Sequence, residues 1–227
     1  MSLLGNAALA MWWDIAQEHR NEFEHWHSHE HFPERLSING FLRASRWASA
    51  DGSEGFFVMY ELAAHEVLAS PAYLAHLNAP SPWSTRMMPL HRQMVRTQCR
   101  VLASHGSGIA ARVLTLRLTP PDDARATLRD EVDRLGRSLS GRPGLVGLHL
   151  LEHQPPDIAP TAEQRIRGGD RAADWVLLAT GCEQAALSSL AEGELSPQRL
   201  MAQGFREAVA AGVYVLRHTA APKDVAA

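Results

Sequence analysis

One order of elements occurs twice along this chain, and it constrains the fold more than any other feature. Segments 6–15, 40–49, 55–62 and 94–104 are apolar or alternate large and polar side chains, the period of β-strands. A polar stretch with helical spacing, 17–36, separates the first two strands. ADGSEG, 50–55, joins the middle pair as a hairpin. The stretch 65–90, broken by four prolines, precedes the fourth strand. The second half repeats the order. Strands are expected at 108–118, 144–153, 173–180 and 208–218, with a helix over 120–139 that opens on Pro and Asp and a broken helical stretch over 182–206. Gly40 and Gly144 stand at the same place in the two halves, between a helix end and an alternating strand. Each half therefore reads as β-α-β-β-α-β, a ferredoxin-like unit.

The fold class expected is α+β: tandem ferredoxin-like repeats packed sheet to sheet as an intramolecular α+β barrel. Each unit forms a four-stranded antiparallel sheet with helices on one face, and the bare faces must cover each other. The units are expected at 1–105 and 106–220, divided near the Gly/Ser link SHGSG, with 221–227 a flexible tail. The repeat supplies an internal pseudo-dimer, so a homodimer is possible but not required.

Composition narrows the partners. The 227 residues carry 45% hydrophobic and 21% charged side chains, ordinary for a globular chain with its own core. A formal net charge of −3 gives no field to attract nucleic acid or anionic lipid. No apolar run approaches the roughly 18–20 residues of a membrane helix, and a cytoplasmic location is expected. Cys99 and Cys182 stand far apart and outside any CxxC pair; both read as buried, inert thiols.

Four of the twelve histidines fall in HWHSHEH, 25–31. On a helix, residues four apart share a face, which divides them into His25 with His29 and His27 with His31. An i, i+4 His pair is a ligand geometry, but no partner motif completes a metal site, so no metal and no cofactor is expected. Charged neighbours put His25 and His29 on the solvated face. Phe32-Pro33 should end or kink the helix, placing His31 near its end and close to the barrel rim. Imidazole titrates near neutrality, so His31, with Glu30 or His27, is the candidate proton-transfer group.

Along the second strand, Phe41, Arg43, Ser45 and Trp47 share one face; their counterparts in the repeat are Gly147, His149 and Leu151. These faces are expected to line a cavity between the sheets, a mixture of aromatic, small and polar groups suited to a small ligand. A buried Arg43 would need an anionic or hydrogen-bonding partner. Tyr60 and Trp83 complete the candidate ligand-binding set, Tyr60 through its phenol. The insert 154–172 has no counterpart in the first half and is a candidate lid.

The block FEHWHSHEHFPERLSINGFLRASRW resembles the first helix and second strand of the dimeric α+β barrel superfamily, near its EthD-like members. Trp26, Glu30, His31, Pro33, Glu34, Arg35, Leu36, Gly40, Phe41 and Arg46 carry the likeness, with 70–87 and ADWVLLAT. His27 stands where the pattern has an aromatic such as Tyr, and Asn39 where it has Pro. The resemblance implies one of several chemistries, among them cofactor-free monooxygenases, polyketide cyclases and haem-degrading enzymes. The leading expectation is a cofactor-independent enzyme on a small apolar oxygenated molecule. The alternatives are a non-catalytic small-molecule-binding or stress-related barrel protein, and haem or metal binding.

Overall fold

A computed structural model describes residues 3–139 and 141–225, with the side chains of 207–210 set aside. Eight strands form one closed antiparallel barrel: β1 (Ala7–Asp14), β2 (Phe41–Ser49), β3 (Gly55–Leu62), β4 (Arg92–Gly106), β5 (Arg112–Thr119), β6 (Leu145–His153), β7 (Trp175–Gly181) and β8 (Arg206–Ala220). The order around the barrel is β1-β3-β2-β8-β5-β7-β6-β4. The first four strands thus lie as β4-β1-β3-β2 and the last four as β8-β5-β7-β6, the same arrangement twice. The pairs β2·β8 and β4·β6 close the circle. Closure leaves no free sheet edge.

Helices cover the outside. Over the first sheet lie α1 (Arg20–Trp26), α2 (Phe32–Leu36), α3 (Pro71–Asn78) and α4 (Pro82–Met87); over the second lie α5 (Arg125–Leu139), α7 (Gln184–Glu192) and α8 (Pro197–Ala202). Helix α6 (Ala162–Arg167) lies in the insert. Gly40 and Gly144 both take left-handed conformations, φ +97° and +80°, the glycine stop that ends a helix before a strand. Within the tail expected to be flexible, 221–227, Pro222–Val225 form a short helix, α9, whose Val225 packs on the first core; 226 and 227 lie outside the described residues.

Strand alternation sorts the core into three clusters. Leu9, Met11, Trp13, Phe56, Val58 and Tyr60 face the helices of the first unit. Leu114, Leu116, Leu148, Leu150, Trp175 and Leu177 face those of the second. Ala8, Ala10, Trp12, Trp47, Phe57, Met59, Leu151 and Leu178 fill the lumen.

Four expectations need correction here. The space between the sheets is a packed core, not a ligand cavity. Trp47 and Trp12 stack on Phe57, with ring centroids 5.3 and 4.9 Å apart. Gaps remain at its ends, leaving the centre of a water-sized molecule about 10 Å³ beside Arg43 and His149 and about 140 Å³ beside Val95, Arg117 and Ala173. Second, Phe41 does not share a face with Arg43, because the β2–β3 register shifts between them and turns Phe41 to the helix side. Third, Phe32-Pro33 does not end the helix. His27–His31 form a π-turn and α2 runs straight on to Leu36; the widened turn accommodates a proline that lacks an N–H. His31 therefore lies mid-run and buried, away from the rim. Fourth, Cys182 is exposed beyond the end of β7, whereas Cys99 is fully buried and its thiol pushed up by that burial. Among the described residues no helix is long and apolar enough to cross a membrane.

Candidate functional site

The π-turn sets the site. It sits over the first sheet, with His27 and His31 turned inward at 1% and 8% exposure and His25 and His29 outward. His31 lies against Trp26, ring centroids 4.6 Å apart, and His27 against Phe32 at 4.5 Å. Together they reach a cavity between the helices and the sheet. From β1 it takes Leu9, Met11 and Trp13, and from β3 Tyr60. Tyr73 comes from α3, Met94 and Arg96 from β4, and His91 from just before β4. The insert closes it: Glu163 and Arg167 of α6 complete the wall, so the second unit's extra segment covers the first unit's cavity. As closed by α6 the space is small, about 30 Å³ for the centre of a water-sized molecule, room for one or two waters, so an aromatic ligand enters only when this wall gives way.

Several residues lining this space carry polar atoms without a hydrogen bond. His27 Nδ1, Tyr60 Oη and Trp13 Nε1 are buried and unbonded, and His31 Nδ1 has only Glu34 near it, at 3.5 Å, though a buried donor or acceptor left unmade costs about 1–3 kcal/mol. Burial holds His27 well below the ordinary imidazole range, with Arg46 adding to it. Burial, then Arg35, lowers His31 as well. His91 keeps some surface, but its ring is wedged among Trp13, Phe23 and Trp26 and is driven down to about 3 by burial. All three imidazoles are neutral at pH 7. Burial pushes the Tyr60 phenol up, so it keeps its proton.

Charged groups brace the wall. Arg35 is buried, pairs with Glu163 across to α6, and lies 3.5 Å from Glu34. Glu34 also stands 3.5 Å from His31 Nδ1 and accepts from His76 at 3.1 Å. Burial alone would raise the Glu34 carboxyl, but His31 and Arg35 bring it to about 2. Arg167 pairs with Glu163 and Asp170.

The remaining sequence candidates lie elsewhere. Glu30 does not line the cavity; its Oε1 accepts from Trp26 Nε1 at 3.1 Å and from Ser84 Oγ at 3.2 Å, tying the π-turn to α4. Trp83 packs on the same side near His25, with centroids 5.4 Å apart. Arg43, Trp47 and His149 meet at one end of the lumen, across the sheet from His31. The partner Arg43 needs is Glu61, held through two bonds of 2.6 and 2.9 Å. Ser45 bonds Thr219 of β8 at 3.0 Å, and Ser104 bonds His149 Nδ1 at 3.0 Å. Burial takes His149 down to about 4. Of the predicted set, the structure thus joins His27, His31 and Tyr60 and separates the rest from them.

Sequence reasoning did not single out Tyr73, His91, Arg96, Glu163 or Arg167, and gave Arg35 no role. Arg96 had a usable signal: it alternates with Met94 and Gln98 and so faces the helices. Glu163 and Arg167 lay inside the insert already marked as a lid. Among the described residues no three His, Cys, Asp or Glu side chains are grouped to hold a metal ion.

No family model matches this chain, and no curated protein does. Solved structures do. An anthrone oxidase-like protein superposes with TM-score 0.64 at 11% identity, covering 98% of this chain and 96% of that one. A candidate monooxygenase of Fusobacterium nucleatum gives 0.62 at 6%, covering 96% of each chain. One from Lactobacillus acidophilus gives 0.59 at 9%, covering 96% and 97%. At these identities the likeness is one of fold: two ferredoxin-like halves closed into one α+β barrel.

Proposed function

We propose that this chain is an oxygenase-like or proton-transfer enzyme acting, without a bound cofactor, on a small, largely apolar oxygenated molecule in the cavity beneath the π-turn. One observation carries the reading: His27, His31, Tyr60 and Trp13 line a single buried space, and three of them, His27, Tyr60 and Trp13, carry buried polar atoms with no hydrogen-bond partner. Such groups are costly unless a ligand completes them. Neutral His31, with His27 beside it, takes a proton from an acidic C–H next to a carbonyl. Tyr60, which keeps its proton, donates to the oxygen on which negative charge develops. The methionines, Trp13 and Trp26 supply the apolar body of the pocket. Loss of that proton leaves an electron-rich carbanion, the species that a cofactor-free oxygenation requires. The anthrone oxidase-like and monooxygenase descriptions of the structural neighbours are compatible with this chemistry.

The test is hydrogen exchange on a panel of enolisable aromatic ketones, anthrone included, in D2O under nitrogen and then in air. Wild type is expected to speed deuterium entry at the acidic carbon, with oxygen uptake in air. His31→Ala should lower exchange by roughly 100-fold, as loss of a general base does. Unchanged exchange in His31→Ala and His27→Gln together would remove the assignment. Binding of these ketones with no exchange in wild type would favour the non-catalytic module.

A further inference from the structure

The proposed function accounts for the neutral groups of the cavity but not for Arg96. This side chain is 5% exposed and lines the cavity. Its terminal nitrogen donates to Tyr73 Oη at 2.9 Å. Among the described residues no carboxylate lies within 4.0 Å of it, whereas Arg35 has Glu163 and Glu34 and Arg167 has Glu163 and Asp170. The nearby acids are therefore committed to the other two arginines. A buried guanidinium held only by a neutral phenol is expensive, by several kcal/mol in general. Five donors in a planar fork match a carboxylate or a phosphate, and the small space lined by methionines and aromatic rings favours the smaller, singly charged carboxylate.

Position supports the same reading. Arg96 pairs in register with Met11 of β1 and stands one strand step from Met94, both of them cavity-lining. A ligand that places an acid on Arg96 lays its apolar body along the methionines, towards the unpartnered Tyr60 and His27.

We infer that the ligand of this site is an acid: an aromatic or otherwise flat apolar molecule whose carboxylate is received by Arg96 and Tyr73. The inference rests on the proposed function for the location of the ligand, but not on catalysis. The carboxylate completes Arg96 and fixes the orientation of the ligand, leaving its carbonyl end for His31 and Tyr60. Arg96 is a binding and positioning residue in this account, not a proton carrier.

Isothermal titration of the full chain with 2-naphthoic acid and with the neutral 2-naphthamide tests it. Wild type is expected to prefer the acid by roughly tenfold or more, the worth of a charge-assisted pair. In Arg96→Gln the preference should collapse to within about twofold. Arg96→Lys, which keeps the charge without the fork, should retain a reduced preference and guards against a variant that merely fails to fold. Equal binding of acid and amide, binding of neither, or a preference that survives in folded Arg96→Gln overturns the inference. His31→Ala separates the two readings: it should abolish exchange and keep the acid preference. If wild type prefers the acid yet exchanges no ketone, Arg96 recognition stands and the enzyme reading falls. If neutral ketones exchange and the acid preference is missing, the reverse holds.

Discussion

At the scale of the residue, the molecule tolerates polar groups where packing alone would place hydrocarbon. Tyr60 is the plainest case, a buried phenol whose hydroxyl bonds nothing. Tyr60→Phe removes an unsatisfied group and leaves the ring, so stability should hold or rise by up to about 1 kcal/mol in denaturant melts while ketone exchange falls. A loss above about 1 kcal/mol would mean the hydroxyl has a structural partner. The histidines make a second prediction. His27 and His31 have folded-state pKa values below 6.5, so the unfolded chain binds protons there first. Their contribution to stability is complete above pH 6.5 and is lost as pH falls below it. Melting temperature should therefore drop on acidification, and His27→Gln should flatten that drop. A flat profile in wild type would contradict neutral burial. For the same reason the acid limb of the exchange rate should lie below pH 6.5, the ordinary imidazole value.

Two elements decide the geometry. The first is the π-turn His27–His31, one residue wider than an α-turn, which widens the helix at the cavity. Deleting the half-exposed Ser28 should restore a continuous α-helix and rotate His27 and Trp26 away from their places. Helix content by circular dichroism would be kept, and both exchange and acid binding lost. Retained binding would show the turn to be incidental. The second is α6, fastened by Glu163 to Arg35 of α2. Glu163→Gln should loosen it, seen as faster amide exchange across 154–172 with the barrel unaffected. Protection equal to wild type would show that packing alone holds the segment. Sequence reading placed the insert correctly as a distinct piece, because it breaks the repeat. It could not tell that the piece crosses to the other unit, since that needs the ion pair between residues 35 and 163, distant in sequence.

At the scale of the whole molecule, the two halves share a topology and divide the work. The helix-facing cluster of the second unit is built mostly of leucines with Trp175 and Phe205, and the polar groups beside it are paired, His105 with Asp133 and Arg125 with Glu152 and Asp174. One chain should therefore bind one ligand, and a titration stoichiometry of two would contradict this. The lumen binds the halves together. Either unit alone would expose Trp12, Trp47, Phe57 or Leu151, Val176 and Leu178, and two open sheet edges as well. Residues 1–105 expressed alone should not give a stable monomer on gel filtration. Trp47→Ala, which empties a fully buried position of that core, should cost about 3–5 kcal/mol.

By itself the sequence determined the order of elements, the doubling and the barrel, because strand alternation, helical spacing and paired glycines are local signals repeated in both halves. It also separated His27 and His31 from His25 and His29, since helical spacing survives the π-turn. Tertiary structure decided which face of the sheet holds the cavity. Alternation shows that Arg43 and Tyr60 lie on faces of their strands but not which face is filled, and the lumen was filled by stacked aromatic rings that only barrel closure brings together. Tertiary structure also decided the partners of the charges: Glu61 for Arg43, Glu163 for Arg35, and, among the described residues, no carboxylate for Arg96. These pairings depend on distances between strands and helices far apart in the chain, which no periodicity records.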